Sequence, residues 1–121
     1  MTRILYIEDN ADNRMLVKRV LEAEGYSVAE AANAHDGMQQ ALAQPPALIL
    51  MDINLPEVDG YTTTSRLKLT PGLEHVKVIA LTANVMKGDR EKTLAAGCDG
   101  YIQKPIDVDL LPRQIARYLE D

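Results

Sequence analysis

Residues 48–56 read LILMDINLP, and the opening LILM, with Ala47 before it, is apolar at every position rather than at alternate ones. A strand buried on one face alternates apolar with polar; a strand covered on both faces does not, and such strands lie centrally in parallel sheets. Asp52 closes the run, with Asn54 and Pro56 just behind it. An ionised carboxylate buried without a partner is strongly unfavourable, or it takes up a proton. Ending an apolar strand in an acid therefore calls for something that offsets its charge.

Working outward, β-rich runs recur at 3–7 (RILYI), 26–31 (YSVAEA), 47–51 (ALILM), 76–82 (VKVIALT) and 100–103 (GYIQ), with helical patterns between them. This alternation predicts a parallel sheet with crossover helices. Leu16, Val17, Val20 and Leu21 share one face of a first helix that stops at Gly25. Met38, Ala41 and Leu42 mark a second, ending before Pro45-Pro46, and Gly60, Thr64 and Leu67 a third, ending before Pro71-Gly72. Leu94 with Ala95 marks a weaker fourth, and Val108, Leu111, Ile115, Tyr118 and Leu119 recur at spacings of three and four in a fifth. The pattern is five β/α units, a doubly wound α/β sheet.

With 121 residues, 46% of them hydrophobic, the chain is expected to form one domain over 1–121 with a substantial core. The net charge of −5 and the scattered basic residues argue against a nucleic acid or an anionic membrane as partner. A single cysteine, Cys98, excludes an internal disulfide, and no apolar run reaches membrane-spanning length or resembles a leader. A cytoplasmic setting is expected, with Cys98 packed and inert in AAGCDGY. The last helix runs to the end of the sequence, which suggests that no output domain follows. His35 and His75 fall on a helix start and a loop and are read as solvated, so Ser/His/Asp hydrolysis and zinc coordination find little support.

In open parallel sheets the ligand crevice lies beyond the carboxyl ends of the strands. Glu8 and Asp9 follow the first strand, Asp52 ends the third, Thr82 ends the fourth and Lys104 follows the fifth. Singly, each has a plain structural explanation: Asp9 and Asn10 as helix caps, Thr82 as a strand former, Lys104 as a surface cation, Tyr101 as core. Together they bring three carboxylates, a hydroxyl and an amine to one rim. Converging carboxylates call for a cation, and hard oxygen ligands suit Mg²⁺. With a lysine and a hydroxyl to hold phosphate, the set points to phosphoryl transfer onto an aspartate.

YIEDN, LILMDINLPEVDG, IALTANVMKGD and GYIQKPI, in this order at these strand ends, resemble the receiver domain of two-component response regulators over essentially the whole chain. The resemblance implies a flavodoxin-like, CheY-like fold with strand order 2-1-3-4-5. It implies Asp52 as phosphoacceptor, and Mg²⁺ held by Glu8, Asp9, Asp52 and the Asn54 main-chain carbonyl. Thr82 and the Ala83 amide would take phosphoryl oxygens, Lys104 would pair with the phosphate, and Pro105 would follow a cis bond. Thr82 and Tyr101 would form the switch, and Asn54 and Asn84 would tune the lifetime of the phosphate. The implied partners are a histidine kinase or histidine phosphotransfer protein, docking over Asn13, Arg14 and the Pro105 loop. A downstream protein would read the face of the fourth helix, fifth strand and fifth helix near Met86, Lys87, Arg90, Tyr101 and Gln103. The domain would catalyse its own phosphorylation and dephosphorylation without being a turnover enzyme.

The chain is similar both to single-domain regulators of the DivK kind and, in LTANVMKGDREKTLAAGCDGYIQKPI, to receivers of hybrid sensor kinases. Two other readings stay open at this level. A phosphatase of the haloacid dehalogenase kind also forms an aspartyl phosphate, although its nucleophile follows the first strand and is paired with a second acid. A receiver-like module that binds partners without phosphate would bind no Mg²⁺.

Overall fold

The computed structural model describes residues 1–53, 55, 60–83 and 87–120, with the backbone alone for 87–90. Strands β1 (Arg3–Ile7), β2 (Ser27–Ala31), β3 (Leu48–Asp52), β4 (Lys77–Thr82) and β5 (Gly100–Gln103) alternate with helices α1 (Ala11–Ala23), α2 (Ala34–Ala43), α3 (Gly60–Leu69), α4 (Lys87–Ala95) and α5 (Leu111–Glu120). All strand pairs are parallel, in the order β2-β1-β3-β4-β5. The apolar run that closes on Asp52 is the central strand, and every residue of it is buried.

Because side chains alternate along a strand, each face of the sheet builds its own core. Leu5, Ile7, Ile49, Met51, Val78 and Ala80 pack with Ala41 of α2 and Leu67 of α3. Ile4, Tyr6, Leu48, Leu50, Ile79 and Leu81 pack with Val17 and Leu21 of α1 and Leu111 and Ile115 of α5. Gly37 allows α2 to press on β1, since a Cβ there would lie 2.4 Å from Cδ1 of Ile7.

Several predicted inward positions face out. Leu16, Leu42 and Leu94 are exposed, each directly beside a buried residue of its helix, Val17, Ala41 and Thr93. Among the described side chains of α4 the buried one is Thr93, whose hydroxyl donates to Tyr61 Oη at 3.3 Å; Thr63 and Thr64 of α3 are buried too, and the Cys98 thiol lies 3.7 Å from the Thr64 hydroxyl. Polar groups thus line the seam between α3 and α4, which is why apolar periodicity marks α4 so weakly. Val108 lies in a turn before α5, where Asp107 Oδ1 accepts from the backbone of Asp109 and Leu110, and the helix starts at Leu111 with Pro112 in its first turn. His35 and His75 are exposed, and Cys98 is buried with its thiol pKa raised by burial. Asn54, Pro56, Asn84 and Met86 lie outside the described residues, as do the side chains of Lys87 and Arg90.

Both edges of the sheet carry a carbonyl bonded from the neighbouring helix. On β2, Gln40 Nε2 donates to the Glu30 carbonyl at 2.7 Å. On β5, the Tyr118 hydroxyl donates to the Tyr101 carbonyl at 3.1 Å.

Candidate functional site

Strand register decides which side chains meet. Ile7 is level with Met51, Asp52 with Leu81, and Thr82 with Gln103, so the chain continues past each strand at the same height. The ladder extends one step further through Glu8 N–H to the Ala31 carbonyl, Ile53 N–H to Leu81 and Lys104 N–H to Thr82. Glu8, Asp52, Thr82 and Lys104 are thereby fixed by backbone hydrogen bonds at one end of the sheet. The Lys104-Pro105 bond is cis.

Asp52 is 2% exposed, and Lys104 Nζ donates to its Oδ1 at 2.9 Å. The offset demanded by an acid at the end of an apolar strand is thus supplied in part by this lysine, which also lies 3.9 Å from Glu8 Oε1. Glu8 is as deeply buried as Asp52, whereas Asp9 is exposed. Asn10, not Asp9, caps α1: its Oδ1 accepts from Asn13 N–H at 2.9 Å, which leaves Asp9 to the site.

Ligand oxygens of Glu8, Asp9 and Asp52 lie within 4.8 Å of one another. One lysine cannot neutralise three carboxylates. Burial, and next the neighbouring Asp52, push the Glu8 carboxyl up to about 7, against the Asn13 amide and Lys104. Glu8 Oε2 is buried with no hydrogen-bond partner among the described residues. An orphaned carboxylate oxygen in an all-oxygen cluster is what a hard divalent cation would satisfy, so the residues present fit Mg²⁺.

Thr82 is 5% exposed at the end of β4, with Ala83 exposed beyond it. Tyr101 is half-buried against the α2 and α3 side of the core. Gln103 is exposed. Sequence reading placed Asn13 and Arg14 on a docking surface and missed a second feature of theirs: both bond to Glu8. The spacing Glu8, Asn13, Arg14 across a strand-to-helix turn was the available signal.

These elements define a doubly wound fold with an acid cluster and a lysine at the carboxyl ends of its central strands. The chain belongs to the response regulator receiver domain family, whose model matches residues 4–116. It is 42% identical over 118 residues to the polar-differentiation response regulator DivK of Brucella anthropi, covering 98% of this chain and 96% of that protein. DivK of Brucella ovis matches with the same identity and coverage. Among solved structures, the receiver domain of sensor histidine kinase PA1611 from Pseudomonas aeruginosa PAO1 is 36% identical with a TM-score of 0.89, covering 99% of this chain and 98% of that one. That structure holds a magnesium ion coordinated in its active-site cleft. Chemotaxis protein CheY4 of Vibrio cholerae superposes with a TM-score of 0.93 over 98% of both chains at 22% identity, a likeness of fold. Among the described residues, no helix is long and apolar enough to cross a membrane.

Proposed function

We propose that this receiver domain accepts a phosphoryl group on Asp52 from a phosphohistidine of a histidine kinase or phosphotransfer protein. The observation that carries the reading is the buried Asp52 carboxylate, held by Lys104 at 2.9 Å inside a cluster of three acids. An Asp52 oxygen attacks phosphorus in line; the P–O bond forms as the P–N bond breaks, and the imidazole nitrogen leaves with the electron pair. Glu8, Asp9 and Asp52, with the Asn54 carbonyl, are the groups that would hold Mg²⁺. When bound, Mg²⁺ offsets the negative charge that gathers on the phosphoryl oxygens.

Lys104 keeps Asp52 oriented before transfer and then has a phosphoryl oxygen as its new acceptor. The Thr82 hydroxyl and the Ala83 amide supply further donors on the same side. The product is an acyl phosphate, which water removes in the same site, so the chain is acceptor and catalyst of one event rather than a turnover enzyme. Thr82 drawn towards the phosphate, with Tyr101 following, gives the two states a differential contact that a partner can read on the α4, β5 and α5 face.

Acetyl phosphate with Mg²⁺ is expected to add one acid-stable, base-labile phosphoryl group, seen as a single mass shift, and Asp52→Asn to abolish it. Label retained by that variant would overturn the assignment. Release of inorganic phosphate from phosphomonoesters over many turnovers would favour a phosphatase instead.

A further inference from the structure

Glu8 is gripped twice by the first turn of α1. Asn13 Nδ2 donates to Glu8 Oε1 at 2.9 Å, and one Arg14 guanidinium nitrogen donates to the Glu8 main-chain carbonyl at 2.6 Å. Arg14 is itself braced by Glu30 of β2 at 3.8 Å. Asn13 is in turn fixed by the helix cap, since its own N–H donates to Asn10 Oδ1. The amide therefore reaches Glu8 from a backbone position with little freedom, while its side chain stays near the surface.

This grip distinguishes the two oxygens of one carboxylate. Oε1 takes the Asn13 amide and faces Lys104 at 3.9 Å. Oε2 is buried and has no partner among the described residues. A carboxylate able to turn about its last bond presents either oxygen; one held at Oε1 presents only Oε2. We infer that Asn13 is a positioning residue of the metal site, which commits Glu8 Oε1 to the protein so that Oε2 is the oxygen offered to the cation. The inference rests on the metal reading above and adds to it a determinant of affinity and of metal preference.

Preference follows from coordination geometry. Mg²⁺ demands a near-ideal octahedron at about 2.0–2.1 Å, whereas Ca²⁺ accepts variable ligand number and angle at about 2.3–2.6 Å. Loosening Glu8 therefore penalises Mg²⁺ more than Ca²⁺. Removing an outer partner of a metal ligand typically costs about ten- to a hundredfold in affinity.

The experiment is isothermal titration of the full chain with Mg²⁺ and, separately, with Ca²⁺, for wild type and three variants. Asn13→Ala and Asn13→Leu both lack the donor but differ in volume; Asn13→Gln retains a carboxamide. Both donorless variants are expected to lose about ten- to a hundredfold in Mg²⁺ affinity and less in Ca²⁺ affinity, with Asn13→Gln recovering part of the loss. Unfolding midpoints in EDTA verify that each variant is folded. Unchanged Mg²⁺ affinity in both donorless variants overturns this inference alone, as does an equal loss for the two metals or a loss confined to one donorless variant. A wild-type chain that binds no Mg²⁺ overturns the metal reading itself.

Discussion

Replacing Glu8 by Gln keeps its shape and removes its charge, and the consequence for stability depends on pH and metal. In the metal-free protein the Glu8 carboxyl is raised from an ordinary value near 4.5 to about 7, by burial first and by Asp52 next. The folded state then holds a proton that the unfolded chain has already released between these two values. The stability that Glu8 contributes is therefore fully present below about pH 4.5, is lost as pH rises and levels off above about 7. At about 1.4 kcal/mol per pH unit, the span amounts to about 3 kcal/mol, with little solvent discount because the side chain is 2% exposed. Glu8→Gln lacks this slope. In EDTA the variant should be nearly as stable as wild type at pH 4.5 and more stable by about 3 kcal/mol at pH 8, equivalent to about 10 °C in unfolding midpoint for a chain of this length. Saturating Mg²⁺ should close the gap from the other side, since a hundredfold excess over Kd contributes about 2.7 kcal/mol to whichever form binds it. Urea titrations followed by circular dichroism at the two pH values, with and without Mg²⁺, measure all four quantities. A stability difference that stays constant from pH 4.5 to 8 in EDTA would refute the reasoning.

Thr82→Ala should still accept phosphate from acetyl phosphate but show a smaller change in amide chemical shifts around Tyr101; an unaltered response removes Thr82 from the switch. Gly37→Ala should destabilise by about 1–2 kcal/mol in urea, because the added methyl strikes a fully buried Ile7 and outweighs the better helix propensity of alanine. Lys68 Nζ donates to the Val76 carbonyl at 2.8 Å and to Asp99 at 2.7 Å, tying α3 to the starts of β4 and β5. Lys68→Met should cost about 1–2 kcal/mol and speed amide exchange at Val78, whose N–H donates to the same Asp99 oxygen.

Strand content was plain in the sequence because four of the five runs carry apolar residues on one or both faces, and LILM carries them on both. Helix orientation was less plain. Leu16 and Leu42 adjoin truly buried neighbours, Val17 and Ala41, and a stripe edge is not separable from its centre by spacing alone. Among the described side chains of α4 the buried one is Thr93, bonded to Tyr61, so hydropathy pointed instead to its exposed neighbour Leu94. The acids at the strand ends were legible from position, whereas their roles came from resemblance. What could not be read was the division of labour among them. Burial of Glu8 beside an exposed Asp9 depends on Asn10 taking the cap, and the hold of Asn13 on Glu8 depends on how the chain turns from β1 into α1.

The carbonyls of Glu30 and Tyr101 lie on the outermost strands, and Gln40 and Tyr118 already occupy them. An outermost strand with open backbone groups is a template on which another chain can add a strand, and the usual outcome is aggregation. Here each border is partly closed by a side chain from the helix beside it, and β5 is only four residues long. The partner-reading face proposed above would adjoin this sheet border on the β5 side. Tyr118, seated where Gly100 leaves room for its ring, takes up a backbone acceptor of β5 that an added strand would otherwise use, so the lack of a side chain at Gly100 is a condition of that protection.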